Sequence, residues 1–170
     1  MEKDIINKVA NSKLEVFDLE DYFPKEEIVT IDISQWLYEG FILKEKDFRE
    51  LLKSFDWSIY SEKGIVLFCS TDAILPAWTF ALVASYLIPF AKQIIHGNEH
   101  DYLLLHYNKV LESIDFSNYQ DKPVILKGCS KKPVPNAIYT LAIQKLYPFS
   151  KSVMFGEACS AVPLYKSNLK

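Results

Sequence analysis

The sequence predicts an α/β fold: a single three-layer domain over residues 1–170, with a mostly parallel sheet and helices on both faces. Three observations predict it. Short apolar runs such as Ile65-Val-Leu-Phe68 alternate with helix-length apolar stretches. Those runs lack polar alternation, as strands buried on both sides do. The middle of the chain is also written twice. Leu52-Lys-Ser-Phe-Asp-Trp-Ser-Ile-Tyr60, followed by Ser-Glu-Lys63-Gly-Ile-Val-Leu67, returns as Leu111-Glu-Ser-Ile-Asp-Phe-Ser-Asn-Tyr119, then Gln-Asp-Lys122-Pro-Val-Ile-Leu126. Each copy closes on one phrase, Leu87-Ile-Pro-Phe-Ala-Lys92 against Leu146-Tyr-Pro-Phe-Ser-Lys151. The internal tandem β-α-β repeat spans roughly 49–101 and 108–160.

The elements follow in order. Leu14-Glu-Val-Phe-Asp-Leu19 and Ile28-Val-Thr-Ile-Asp-Ile33 alternate with period two and flank a turn at Pro24, so they read as strands at a sheet edge, paired as a hairpin. Trp36 to Phe41 favours neither state. Phe48, Leu51, Leu52 and Phe55 carry helical spacing over Lys44 to Phe55. The first copy then gives a strand at Ile65–Phe68, a helix opened by Pro76 and stopped by Pro89, and a strand at Gln93–His96 ended by Gly97. Tyr102 to Ile114 reads as the helix that begins the second copy. It continues with a strand at Val124–Leu126, a helix from Pro135 to about Tyr147, and a strand at Ser152–Phe155 ended by Gly156. Right-handed crossovers would align all four repeat strands in one parallel sheet. Ala73 to Ala91 carries no charge, but Pro76 and Pro89 confine its helix to less than a bilayer crossing, so it reads as a buried core helix.

Composition bounds the function. Apolar content of 49% and charged content of 24% are those of an ordinary globular chain. The net charge of −3 and the absence of a basic stripe argue against a nucleic-acid partner. No membrane partner is expected either. The opening Met1-Glu-Lys-Asp-Ile-Ile-Asn does not read as a signal peptide, and the 3 cysteines, an odd number, read as reduced thiols of a cytoplasmic protein.

Those cysteines are the candidate chemistry. Cys69-Ser70, Cys129-Ser130 and Cys159-Ser160 each follow a predicted strand and precede a proline: Pro76, Pro135 and Pro163. Loops beyond the strand C-termini form the functional edge of a parallel sheet, so all three pairs are expected at one edge. Four readings stay open. Cys69, Cys129 and Cys159 converge on a metal, zinc or an iron–sulfur cluster, with water, substrate, Asp72 or His100 as a fourth ligand. Alternatively, a thiolate near a helix N-terminus acts as a nucleophile. Ser70, Ser130, Ser160 and Lys131, with Lys132 beside it, bind a small anion at the edge. Or the cysteines are small buried hydrophobes and the serines stabilise turns. No C-x-x-C knuckle supports the metal, and no glycine-rich phosphate loop supports the anion.

Two other groups need placing. His96, His100 and His106 crowd together, but Gly97 breaks the helix that would align the first two. Only His100 qualifies as a ligand, because it stands opposite Cys159 when the repeat is counted forward. Asp72 sits where the second copy has lysines, and a polar residue that breaks a repeat is a binding candidate. Asp56-Trp57-Ser58 and Asp115-Phe116-Ser117 read as turns with a core aromatic.

The chain resembles the bacterial family catalogued as domain of unknown function 2480. The likeness is carried by Gly40-Phe-Ile-Leu-Lys-Glu-Lys-Asp-Phe-Arg49, Cys69-Ser-Thr-Asp-Ala-Ile-Leu-Pro-Ala-Trp78, Lys127-Gly-Cys-Ser130 with Pro133-Val-Pro135, and Phe155-Gly-Glu-Ala-Cys-Ser-Ala-Val-Pro-Leu-Tyr-Lys166. It runs over nearly the whole chain. The resemblance implies that the three Cys-Ser pairs and Asp72 belong to the family pattern and that His100 does not. It implies no activity, substrate or cofactor. The leading expectation is a site built from the three Cys-Ser loops, metal-binding in its sharpest form. Against it stands a non-catalytic interaction protein with packed thiols.

Overall fold

The computed structural model describes residues 14–128, 131–157 and 160–167. In order, the chain forms β1 (Glu15–Asp18), β2 (Ile28–Asp32), α1 (Glu45–Ser54), β3 (Gly64–Phe68), α2 (Trp78–Leu87), β4 (Gln93–His96), α3 (Glu99–Ser113), β5 (Pro123–Lys127), α4 (Asn136–Leu146), β6 (Ser152–Phe155) and β7 (Val162–Lys166). Four short 3-10 turns punctuate it at Leu19–Tyr22, Ile33–Trp36, Trp57–Tyr60 and Phe116–Tyr119. The fold is mixed α/β and its strand pairing mostly parallel, as the alternation of apolar runs predicts.

The strands divide between two sheets, in the orders β2-β3-β4 and β1-β5-β6-β7. Each sheet belongs to one of two compact units. An inserted unit holds Pro24–Leu103, and a split unit combines Met1–Phe23 with Leu104–Lys170. This corrects the expectation of one sheet holding all four repeat strands: β3 and β4 lie in one sheet, β5 and β6 in the other. The N-terminal strands do lie at sheet edges, but not as a hairpin. β2 pairs parallel with β3, Ile28 opposite Gly64, and β1 pairs parallel with β5, Glu15 opposite Val124. The reason is visible at their ends. Asp18 and Asp32 each cap a 3-10 turn by accepting the N–H two residues on, which takes the chain off the strand before it can fold back on its neighbour.

Within the inserted unit, α1 buries Phe48 and Leu52, and α2 buries Thr79, Val83 and Leu87, each set at four-residue spacing. The apolar members pack with Ile65 and Leu67 of β3, Ile31 of β2, and Trp36 and Trp57. On the opposite face of β3, Gly64 lies under the ring of Tyr102 from the first turns of α3, so this sheet has helices on both faces. α2 is not the wholly buried core helix expected. One stripe faces the core while Ala81 and Ser85 are exposed, which short side chains permit in an uncharged stretch. Among the described residues no helix is long and apolar enough to cross a membrane.

Within the split unit, Tyr107 and Leu111 of α3 and Ile138, Ala142 and Leu146 of α4 pack on Val124 and Leu126 of β5, with Phe17 and Val153 from the neighbouring strands. The alternate strand residues Val66 and Ile125 are buried as well, so both central strands are covered on both faces. The Asp-aromatic-Ser turns form as expected. Asp56 and Asp115 accept the N–H groups of Ser58 and Ser117, each at 3.0 Å, and Trp57 and Phe116 are buried. β7 is additional. It runs antiparallel to β6 with a register shift between Val153 and Met154, and its Pro163 is tolerated on an edge strand.

Candidate functional site

The loop leaving β3 is built against two other segments of the inserted unit. Asp32 ends β2 directly beside Phe68, the last residue of β3. Its carboxylate accepts the N–H of Ser34 at 2.9 Å and that of Ser70 at 3.1 Å. The hydroxyls of Ser34 and Ser70 lie 3.3 Å apart above it. Burial pushes the Asp32 pKa up, but hydrogen bonds from Ser70 and Ser34 outweigh that and hold the carboxyl below its ordinary range. Next in the loop, the Thr71 hydroxyl donates to the Gly40 carbonyl at 2.6 Å, and Cys69 Sγ stands 3.4 Å from the Thr71 oxygen.

Gly40 sits in a tight turn in which Tyr38 and Ile42 exchange backbone hydrogen bonds of 2.9 and 3.0 Å. Its φ of 76° lies in the left-handed region, which glycine occupies without a Cβ clash. The turn and the β3 loop together frame an open groove of about 460 Å³, lined by Phe41, Ile42, Leu43, Asp72, Ala73, Ile74 and Pro76. Its walls are apolar yet face solvent: Ile74 is 96% exposed, Phe41 56% and Ile42 51%. Apolar side chains gathered on a loop surface make this groove the candidate binding surface.

The expected site residues are divided between the two units. Ser70 and Asp72 lie in this loop, Ser70 engaged with Asp32 and Ser34, and Asp72 at the groove. Cys69 is partly buried against the inserted unit's core, in the manner of a small hydrophobe. Lys131 and Ser160 are exposed residues of the split unit. The Lys131 N–H donates to Glu20 at 2.7 Å and the Ser160 N–H to the Glu157 carbonyl at 2.9 Å. Cys129, Ser130 and Cys159 lie outside the described residues. The strand leading to Cys69 belongs to one sheet and those leading to Cys129 and Cys159 to the other, so the premise of one shared sheet edge does not hold.

Near those split-unit loops, Lys127 pairs with Glu157 at 2.8 Å. That hydrogen bond raises the Lys127 pKa, with Asp18 and Glu20 adding to it. Lys132 lies over the Phe23 ring at 5.1 Å. Lys127 is thus matched by a carboxylate and Lys132 lies over an aromatic face, while Lys131 engages Glu20 through its backbone N–H. His100 is exposed in the first turn of α3, His96 stacks on Phe80, and His106 bonds the Tyr22 carbonyl at 2.8 Å. Among the described residues no three His, Cys, Asp or Glu side chains gather to hold a metal ion.

Sequence reasoning singled out Ser70 and Asp72 but missed Asp32 and the turn at Gly40, whose hydrogen bonds fasten their loop. A signal for Asp32 was present: Phe17-Asp-Leu19 and Ile31-Asp-Ile33 place an aspartate identically at the end of each N-terminal strand. A family model described as Protein of unknown function (DUF2480) matches residues 3–167. No curated protein and no solved structure matches the chain.

Proposed function

The chain belongs to this family, whose description names no reaction, and we propose that it works by binding rather than by catalysis, through the groove between the β3 loop and the Tyr38–Ile42 turn. One observation carries the reading. The loop Cys69-Ser-Thr-Asp72 is fastened to Asp32 and to Gly40, and that fastening holds Ile74, Phe41 and Ile42 out toward solvent beside one another. A preorganised apolar surface binds without the cost of ordering its loops. Cys69 serves as packing in this reading, and Ser70 as a loop anchor.

Indole titrated into the isotope-labelled full-length chain tests it. Amide shifts are expected at Phe41–Leu43 and Ala73–Ile74, and the double variant Phe41→Ser, Ile74→Ser weakens them about fivefold or more. Shifts that avoid both segments overturn the proposal.

A second reading keeps a metal. β5 and β6 are adjacent parallel strands, and the loops that follow them carry Cys129 and Cys159. Strands about 4.8 Å apart suit thiolates that share one zinc ion or iron–sulfur cluster. Protein purified without an affinity tag and handled anaerobically is expected to carry near-stoichiometric zinc or iron on this reading. Less than about 0.1 equivalent removes it. We also take the chain to be one folding domain, because α3 runs unbroken from Glu99 to Ser113 through the point where the inserted unit returns to the split unit. The cytoplasm is its proposed location, on the strength of the three cysteines read as reduced thiols.

A further inference from the structure

We infer that the groove takes a ligand with an apolar body and a single cationic head, the head paired with Asp72. The inference rests on the binding reading above and adds the chemistry of the ligand. Asp72 is the one charged residue lining the groove, among six apolar neighbours. Among the described residues nothing bonds or pairs with its carboxylate.

Two cations close in sequence to the groove wall are engaged elsewhere. Lys44, next in sequence to Leu43, holds its Nζ 3.0 Å from the Tyr38 ring centroid. Arg49 pairs with Glu45 at 2.9 Å and lies over Trp78. The groove is thus apolar with one uncompensated negative charge at its wall. An apolar anion would be repelled by that charge, a neutral body would gain nothing from it, and an apolar cation satisfies both features.

The repeat sharpens the point. Counting back from Pro76 and Pro135, Asp72 stands opposite Lys131, so the two corresponding loops carry opposite signs. The turn at Gly40 that completes the groove follows β2, whereas in the split unit the chain passes from Phe23 into the inserted unit. The groove and its charge preference therefore belong to the inserted unit. The volume, about 460 Å³, is in the range of small-molecule sites and admits a bicyclic aromatic amine.

Tryptamine and indole-3-propionate carry the same ring and opposite charges, so they test the inference on the full-length chain at fixed ionic strength. Tryptamine is expected to bind about tenfold more tightly, with shifts centred on Asp72–Ile74. Asp72→Asn brings the affinities of the two charged compounds together. Added salt weakens tryptamine without affecting indole. Equal wild-type affinities, with indole still shifting the groove, overturn the cationic assignment and leave the binding reading standing. No shift from any of the three compounds overturns both.

Discussion

Gly64→Ala is expected to destabilise the protein by about 2–4 kcal/mol, the largest effect of any single methyl addition proposed for it. A Cβ built at Gly64 would stand 2.5 Å from Tyr102 Cζ and 2.8 Å from Cε2, and would also strike the hydroxyl. The ring cannot swing aside cheaply. Tyr102 is fully buried, and its hydroxyl donates to Glu26 at 2.8 Å. Burial, then that hydrogen bond, raises its pKa, so it stays a donor at any ordinary pH. Denaturant unfolding measures the loss. In a Tyr102→Phe background the Gly64→Ala penalty persists in part, because Cζ and Cε2 remain in the way. An alanine variant as stable as wild type would show that α3 does not hold its ring against β3. If the chain is one folding domain, a single transition shifts as a whole, and separate transitions would refute that.

Asp32→Ala is expected to cost about 1–3 kcal/mol, because one carboxylate serves both as the cap of the Ile33–Trp36 turn and as the acceptor for the Ser70 N–H. Hydrogen exchange at Ser70 should accelerate sharply while α2 amides hold their protection. If Ser70 stays protected, the loop is fastened by other means. The pH dependence follows from the direction of the shift. The folded-state pKa of Asp32 lies below its ordinary 3.8. Its stabilisation is therefore complete above that value and is lost as pH falls through the lower folded value. Asp56 and Asp115 are held low mainly by the hydroxyls of Ser58 and Ser117 and add to the same acid limb. Only the difference between wild type and Asp32→Ala isolates Asp32.

Much of the local structure was legible because it is decided locally. Gln93–His96 and Ser152–Phe155 are strands with the bounds their flanking turns and glycines imply. The helix read from Pro135 to Tyr147 is Asn136–Leu146. What the sequence concealed is pairing at a distance. Nothing in Glu15–Asp18 says that its partner is β5 rather than β2, since both offer parallel, apolar edges. The candidate site follows the same rule. Cys69-Ser70 and Asp72 stand out locally, whereas Asp32 and Gly40 reach that loop across 38 and 31 residues, and nothing beside either of them names the loop it will bond. Ile74 stands in an uncharged run, and such a run does not reveal which of its members face water.

The order of segments has a consequence for how the polypeptide matures. β1 emerges first from the ribosome, yet its ion-pair partner Lys122 lies 107 residues downstream of Glu15. In the interval the whole Pro24–Leu103 unit is synthesised and can close on itself. Glu15–Asp18 must wait as an unsatisfied strand edge until β5 arrives, and this late, long-range closure is the step most exposed to capture by a neighbouring nascent chain.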